Sequence, residues 1–307
     1  NTYKIMEKLI VVLGPTASGK TSLAVKIARQ NNGEIISADS RQIYKGMDIG
    51  TGKDLNEYFI ENKKIPYHLI DILNPNQDYS VFQFKNDFHK VYNEINNNKK
   101  IPILCGGTAL YIDSILFNYD MSGVKPNKIL REELENFSIE ELIIKLEKID
   151  QKAYVESFHN TKRRIIRTIE ILSSSITNKS INKNLYNPLV IGIKVERKEI
   201  LLKIKDRLIY RLNNGMIEEV EKLISSGVTE NRLNYFGLEY KYIGMYLYEK
   251  ISYDEMVEKL NIGINRFSKR QMTFFRRMEK WGIKINWIEN NIIESSLSLT
   301  EKYLNDK

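Results

Sequence analysis

The chain has 307 residues, 42% of them hydrophobic, with 47 Lys and Arg against 39 Asp and Glu for a net charge of +8. That apolar content rules out wholesale disorder, the length allows two modest domains or one domain with a large insertion, and the basic surplus suits a polyanionic partner without proving one. A single cysteine, Cys105, excludes an internal disulfide and the thiolate-rich zinc sites, and His68, His89 and His159 show no metal-ligand spacing.

Lys8–Leu13 (KLIVVL) reads as a buried parallel strand ending at Gly14. Its core, Leu9–Leu13, is the longest apolar run and far too short to cross a membrane, and the amino terminus has no signal-peptide pattern, so a cytoplasmic protein without membrane contact is expected. A glycine loop, Gly14–Thr21, leads into helical patterning over Ser22–Gln30. Glu34–Ser37, Tyr67–Ile72 and Ile101–Cys105 read as further strands, and Val81–Asn96 as a helix with Val81, Phe84, Phe88, Val91, Tyr92 and Ile95 on one face. This alternation implies an α/β layer with a parallel sheet.

From residue 118 the pattern becomes helical, over Ile129–Asn136, Ser138–Lys148 and Lys162–Leu172, followed by a Ser/Asn/Lys-rich stretch. Residues 118–187 are therefore expected to form a helical insertion, with 1–117 and 188–307 as the core. Pro188 is expected to open a strand, Leu189–Val195, returning to the sheet. Glu196–Ser226 reads as one long helix closed by Gly227, Ser252-x-x-Glu255 is a capping-box signal, Asn261–Trp281 reads as a helix and Lys284–Ile288 as a short strand.

Gly14-Pro15-Thr16-Ala17-Ser18-Gly19-Lys20-Thr21 matches G-x-x-x-x-G-K-[ST] between a predicted strand and a predicted helix, the context this loop requires. Small residues let backbone N–H groups converge on a phosphate, and the helix start adds favourable partial charge. Lys20 supplies a mobile full charge, and the Thr21 hydroxyl can ligate magnesium. Such a loop identifies a phosphate binder rather than a reaction; most hold ATP or GTP, which at this point favours an NTPase or kinase. Asp39, in the turn after the second strand, belongs near the loop, because ligands of open α/β sheets sit beyond the carboxyl ends of the strands. There it can bind magnesium, act as a base or simply cap a turn.

Three segments occur in order: Gly14–Thr21, Ala38–Thr51 (ADSRQIYKGMDIGT) and Cys105–Tyr111 (CGGTALY). With Arg163–Glu170 (RRIIRTIE), Arg207, Gly215, Glu218–Glu219, Gly237–Gly244 (GLEYKYIG) and Lys269–Arg277 (KRQMTFFRR), the sequence resembles the tRNA dimethylallyltransferase family over nearly its whole length. The resemblance implies a P-loop NTPase-like core in which the loop holds the diphosphate of dimethylallyl diphosphate, with Mg²⁺ at or near Thr21. It implies Asp39 as general base toward adenine N6, Arg207 as the diphosphate arginine, and Ser40 and Gln42 at the adenine edge. Arg41, Thr108, Arg131, Arg163, Arg164, Arg167, Lys269, Arg270, Gln271 and Arg276 match the family's tRNA-contacting segments. The expected partners are the tRNA anticodon loop and the allylic donor, with a monomer as the default.

Within Ile262–Trp281 the residue types alone suggest a basic stripe (Arg266, Arg270, Arg277, Lys280) opposite an apolar one (Ile264, Phe267, Phe274, Met278, Trp281), which an ordinary amphipathic helix would also show. The chain departs from the family pattern at Thr51-Gly52-Lys53-Asp54, where T-A-K-P is common, and at Ile166, Tyr242, Met245 and Tyr246. An ATP-dependent kinase, with Tyr67–Asp71 as a magnesium-binding strand, a prenyltransferase of free adenine nucleotides and a non-catalytic RNA-binding module are the competing readings.

Overall fold

The computed structural model describes residues 7–117, 124, 127–150, 161–174, 186–289 and 292–306. Two compact units divide the chain, 1–117 with 184–307, and 118–183. The first is built on a six-stranded parallel sheet in the order β5-β2-β6-β1-β7-β8, formed by β1 (Glu7–Leu13), β2 (Gly33–Ser37), β5 (Tyr67–His68), β6 (Ile101–Gly106), β7 (Tyr186–Ile193) and β8 (Ile285–Ile288). A separate hairpin, β3 (Phe59–Ile60) and β4 (Lys63–Lys64), lies outside it.

The central strand explains the architecture. Leu9, Ile10, Val11, Val12 and Leu13 are all fully buried, which is possible only with both sheet faces covered. Leu9, Val11 and Leu13 pack into one apolar cluster, with α2 (Val81–Asn97) and α3 (Ala109–Leu116). Ile10 and Val12 pack into the other, with α1 (Lys20–Gln30). Since β1 pairs with β6 on one side and β7 on the other, the loop that follows Leu13 opens where the connections diverge, the favoured ligand position of such sheets.

Three expectations are corrected. The strand read as Tyr67–Ile72 stops at His68, because Leu69 and Asp71 adopt left-handed backbone (φ 61° and 55°) and the chain turns to hydrogen-bond Gln42 and Ile43. Asp71 therefore pairs with Lys53 and does not extend a magnesium-binding strand. The strand expected to open at Pro188 begins at Tyr186; Pro188 is tolerated because β8 pairs only from Val190 onward, leaving that position one neighbour.

The single helix expected over Glu196–Ser226 is two. After α4 (Lys128–Glu135), α5 (Ile139–Ile149) and α6 (Lys162–Leu172) of the second unit, α7 (Arg197–Leu212) and α8 (Met216–Ser225) meet at Gly215, whose φ of 96° ends the helical path. The chain continues through α9 (Glu230–Phe236), α10 (Leu238–Leu247), the 28-residue α11 (Tyr253–Lys280) and, after β8, α12 (Ile292–Asn305). The Ser252–Glu255 capping box opens α11. In the second unit, Leu134, Leu142, Leu146, Ile165, Ile166 and Ile169 form a core of their own. His159 and the Asn/Lys-rich cluster at 178–184 lie outside the described residues. Among the described residues no helix is long and apolar enough to cross a membrane.

Candidate active site

Residues 14–19 connect the end of β1 to the start of α1 through two left-handed positions, Ala17 (φ 63°) and Gly19 (φ 81°). A Cβ on Gly14 would sit 2.8 Å from the Ser18 Oγ, so the loop closes tightly over its first glycine. The Ser18 hydroxyl is buried and has no hydrogen-bond partner among the described residues, a cost that a bound oxyanion would relieve. Lys20 Nζ donates to the Pro15 carbonyl at 3.2 Å, folding back over the loop. Burial depresses the Lys20 ammonium below the ordinary lysine value, and the charge of Arg207 adds to the depression. From α7, the Arg207 guanidinium donates to the Thr16 hydroxyl, and burial, helped by Arg211, lowers it to about 10. The loop thus gathers two poorly solvated cations and an unsatisfied hydroxyl.

Asp39 and Thr108 stand at the ends of adjacent strands. Asp39 Oδ1 accepts from the Arg41 and Gln42 amides at 2.9 and 3.3 Å, so the carboxylate caps its own turn. Its charge raises the proton affinity of both Lys20 and Arg207, which places the three groups in one electrostatic neighbourhood. The Thr108 hydroxyl accepts from Ser40 N–H at 3.0 Å and faces the Ser40 hydroxyl at 3.3 Å. Gly106 permits this approach: a Cβ there would lie 2.3 Å from the Ala38 carbonyl oxygen. Arg41 donates to the Tyr235 carbonyl at 2.7 Å and stacks over its ring at 4.9 Å. The Gln42 amide faces inward, its Nε2 3.3 Å from the Gly52 carbonyl and its Oε1 3.4 Å from the Ser37 hydroxyl.

Two buried side chains to which the sequence motifs gave no role fix the loop beside Gln42. Glu219, turned inward by the break before α8, accepts from the amides of Asp48 (2.7 Å), Ile49 (2.6 Å) and Gly50 (3.1 Å) and from the Tyr240 hydroxyl (2.8 Å). Lys53 donates to the Tyr44 carbonyl at 2.8 Å and to Asp48 at 2.7 Å, and pairs with Asp71. At the departure from the family's proline, Asp54 caps the short 3-10 turn Leu55–Tyr58 by accepting from Asn56 N–H at 3.1 Å.

On α11 the buried face is Met256, Leu260, Ile264, Ser268, Gln271, Phe275 and Met278. The expected apolar stripe is corrected at two positions: Phe267 and Trp281 are exposed, whereas Ile264 and Met278 are buried, Phe274 packs half-buried against the core, and Phe275 fills it. Arg277 stacks on Phe274 at 4.0 Å and on Trp281 at 4.5 Å. Arg266, Lys269, Arg270 and Arg276 are exposed, whereas Gln271 is buried and bonds to the phosphate loop.

Within the second unit, Glu170 is the organising group. It is buried and accepts from Arg131 (2.8 and 3.0 Å), from Arg167 and from the Asn127 amide. Burial opposes its charge, but the arginine hydrogen bonds outweigh that and hold the carboxyl at about 2. Arg131 and Arg167 are thus engaged by Glu170. Arg163 and Arg164 have exposed side chains on α6.

The residues that could hold magnesium are few. Among the described residues no three His, Cys, Asp or Glu side chains cluster as a metal site. The Thr21 hydroxyl at the start of α1, the Ser18 hydroxyl, which has no partner among the described residues, and the Asp39 carboxylate are hard oxygen groups of the kind that would suit Mg²⁺.

Comparison with known proteins is consistent with this geometry. Residues 42–278 match the family model described as IPP transferase. The chain is 48% identical to tRNA dimethylallyltransferase 1 of Azobacteroides pseudotrichonymphae, over 92% of this chain and 93% of that one. It is 45% identical to the protein of the same name from Parabacteroides distasonis, over 98% of each. A solved tRNA isopentenylpyrophosphate transferase from Bacillus halodurans superposes with a TM-score of 0.69 at 31% identity, covering 97% of this chain and 99% of that chain. A eukaryotic dimethylallyltransferase described as acting on tRNA shares the fold, with a TM-score of 0.81 at 21% identity over 98% of this chain and 80% of that one. A phosphate loop on a parallel P-loop-like sheet, joined to a helical unit and matched over most of its length, places the chain in the IPP transferase family.

Proposed function

We propose that the protein transfers the dimethylallyl group of dimethylallyl diphosphate to N6 of adenine 37 in the tRNA anticodon loop, releasing diphosphate. The observation that carries this reading is the convergence of the glycine loop, where Lys20 folds over Pro15 and Arg207 bonds to Thr16, with the neighbouring turn that carries Asp39: two cations for a leaving diphosphate and one carboxylate for an incoming amine. The C1–O bond to the diphosphate breaks with its electron pair moving onto the diphosphate oxygen, and the N6–C1 bond forms. Lys20, Arg207 and the loop amides meet the charge where it grows, the term that contributes most in such sites. Asp39 Oδ2 takes the N6 proton and returns it to solvent. Thr21 would hold Mg²⁺, which would supply positive charge to neutralise the leaving group.

The target base must leave its stack to reach Asp39, and the Ser40–Gln42 turn is the proposed surface for its edge. A kinase reading loses its second carboxylate, because Asp71 is held by Lys53. The protein is proposed to act as a cytoplasmic monomer. Labelled dimethylallyl diphosphate, Mg²⁺ and unmodified tRNA are expected to give label on a single adenine next to the anticodon; ATP consumption without label transfer, or labelling of AMP in preference to tRNA, would refute the assignment.

The exposed basic residues Arg163 and Arg164 are proposed to track tRNA phosphates. Replacing both by alanine is expected to weaken tRNA binding and to reduce the slope of log K against log[salt] by about one to two. Arg167 belongs in a separate variant, because its loss also removes a partner of Glu170. A binding isotherm for the double variant that tracks the wild type at every salt concentration would remove these arginines from the RNA surface.

A further inference from the structure

Gln271 faces away from the charged surface of its helix. It is 5% exposed, while its neighbours Lys269 and Arg270 are open to solvent. Its Oε1 accepts the Thr16 amide N–H at 2.9 Å, and its Nε2 donates to the Gly107 carbonyl at 2.8 Å. Both partners are backbone groups, one able only to donate and the other only to accept, so a single orientation of the amide satisfies both. A Cβ on Gly107 would lie 2.5 Å from Nε2, so the glycine makes room for the approach.

The two ends of this bridge belong to opposite halves of the site. Thr16 lies in the phosphate loop, and its hydroxyl holds Arg207. Gly107 precedes Thr108, which supports Ser40 beside Asp39. We propose that Gln271 is a positioning residue, a brace that fixes the separation between the diphosphate loop and the turn carrying the base, and that it is not a tRNA contact. The inference rests on the transfer reading above and adds a residue to it. Displacement in such a reaction needs donor carbon and acceptor nitrogen held at attack distance, so loosening one half against the other lowers the rate even when each substrate still binds.

Three variants test it in the full chain. Gln271→Leu keeps bulk and loses both hydrogen bonds. Gln271→Glu keeps the acceptor, loses the donor and sets a negative charge beside the loop. Gln271→Asn keeps the amide but is one methylene short. We expect Gln271→Leu to lower kcat roughly tenfold to a hundredfold. Its tRNA Kd should stay within about twofold, as for a residue that does not touch the ligand. Gln271→Glu should lose more than Gln271→Leu and should also weaken pyrophosphate binding; Gln271→Asn should fall between wild type and Gln271→Leu.

A loss of tRNA affinity with kcat at saturating tRNA unchanged would overturn the proposal in favour of an RNA contact. Unchanged kcat in all three variants, or losses that follow only the melting temperature, would overturn it as well. Should Gln271→Leu fail to fold, the order of Gln271→Glu against Gln271→Asn decides. Pyrophosphate binding is measured without the reaction, so absence of prenylation by the wild type would sink the transfer reading separately.

Discussion

Replacing Asp39 with asparagine is expected to lower kcat by roughly 10²–10⁴-fold, the range for a lost general base, with tRNA affinity nearly unchanged. The two carboxylate oxygens have separate tasks. Oδ1 accepts from the Arg41 and Gln42 amides, and an asparagine oxygen can do the same. Oδ2 accepts no hydrogen bond among the described residues and is the atom proposed to receive the N6 proton. An amide NH₂ in its place cannot accept. Asp39→Ala removes both oxygens, so it should lose the rate and also loosen the Ser40–Gln42 turn, weakening tRNA binding beyond the asparagine variant. Single-turnover rates and tRNA Kd values for the pair separate base from cap. An asparagine variant that loses rate and affinity in equal measure would leave Asp39 with a binding role only.

What the sequence disclosed about this site follows the range of the interactions involved. The phosphate loop is local: eight consecutive residues determine its conformation, and the strand before it and helix after it carry their own periodicity. The Asp39 turn is nearly as local: strand order places it near the loop, and its role as base came from the family resemblance. Gln271 and Glu219 are different, because their partners lie 255 and about 170 positions away. In a string of residues Gln271 stands inside a basic segment and reads as surface. Only the rotation of α11 shows that it sits on the buried face with Phe275. The same limit explains the helix read through Gly215: apolar residues recur at helical spacing on both sides of it, and periodicity does not register the left-handed backbone that turns Glu219 inward. At Leu69 and Asp71 alternating apolar residues imitated a strand that left-handed backbone interrupts.

Replacing Lys20 with methionine is expected to cost roughly 10²–10³-fold in kcat, comparable to losing one preorganised transition-state contact, while leaving the free protein as stable as before or raising its midpoint by about 2–4 °C. The sign follows from the electrostatics. Lys20 and Arg207 face the same loop. Burial holds down the proton affinity of both, Arg207 adding to the effect on Lys20 and Arg211 to that on Arg207, and among the described residues neither forms an ion pair. A lysine whose pKa the fold lowers costs stability at neutral pH, where the unfolded chain would carry the proton with full hydration. Without ligand, the charge is therefore a liability that the fold tolerates, and methionine of similar length relieves it. Pyrophosphate reverses the balance: the anion should raise the wild-type melting midpoint through binding linkage and raise that of Lys20→Met much less. Arg207→Gln should behave in the same way, with an added loss from freeing the Thr16 hydroxyl. A Lys20→Met protein that melts well below wild type without ligand, yet gains equally from pyrophosphate, would show that the lysine braces the loop through the Pro15 carbonyl and that the diphosphate is met by other groups.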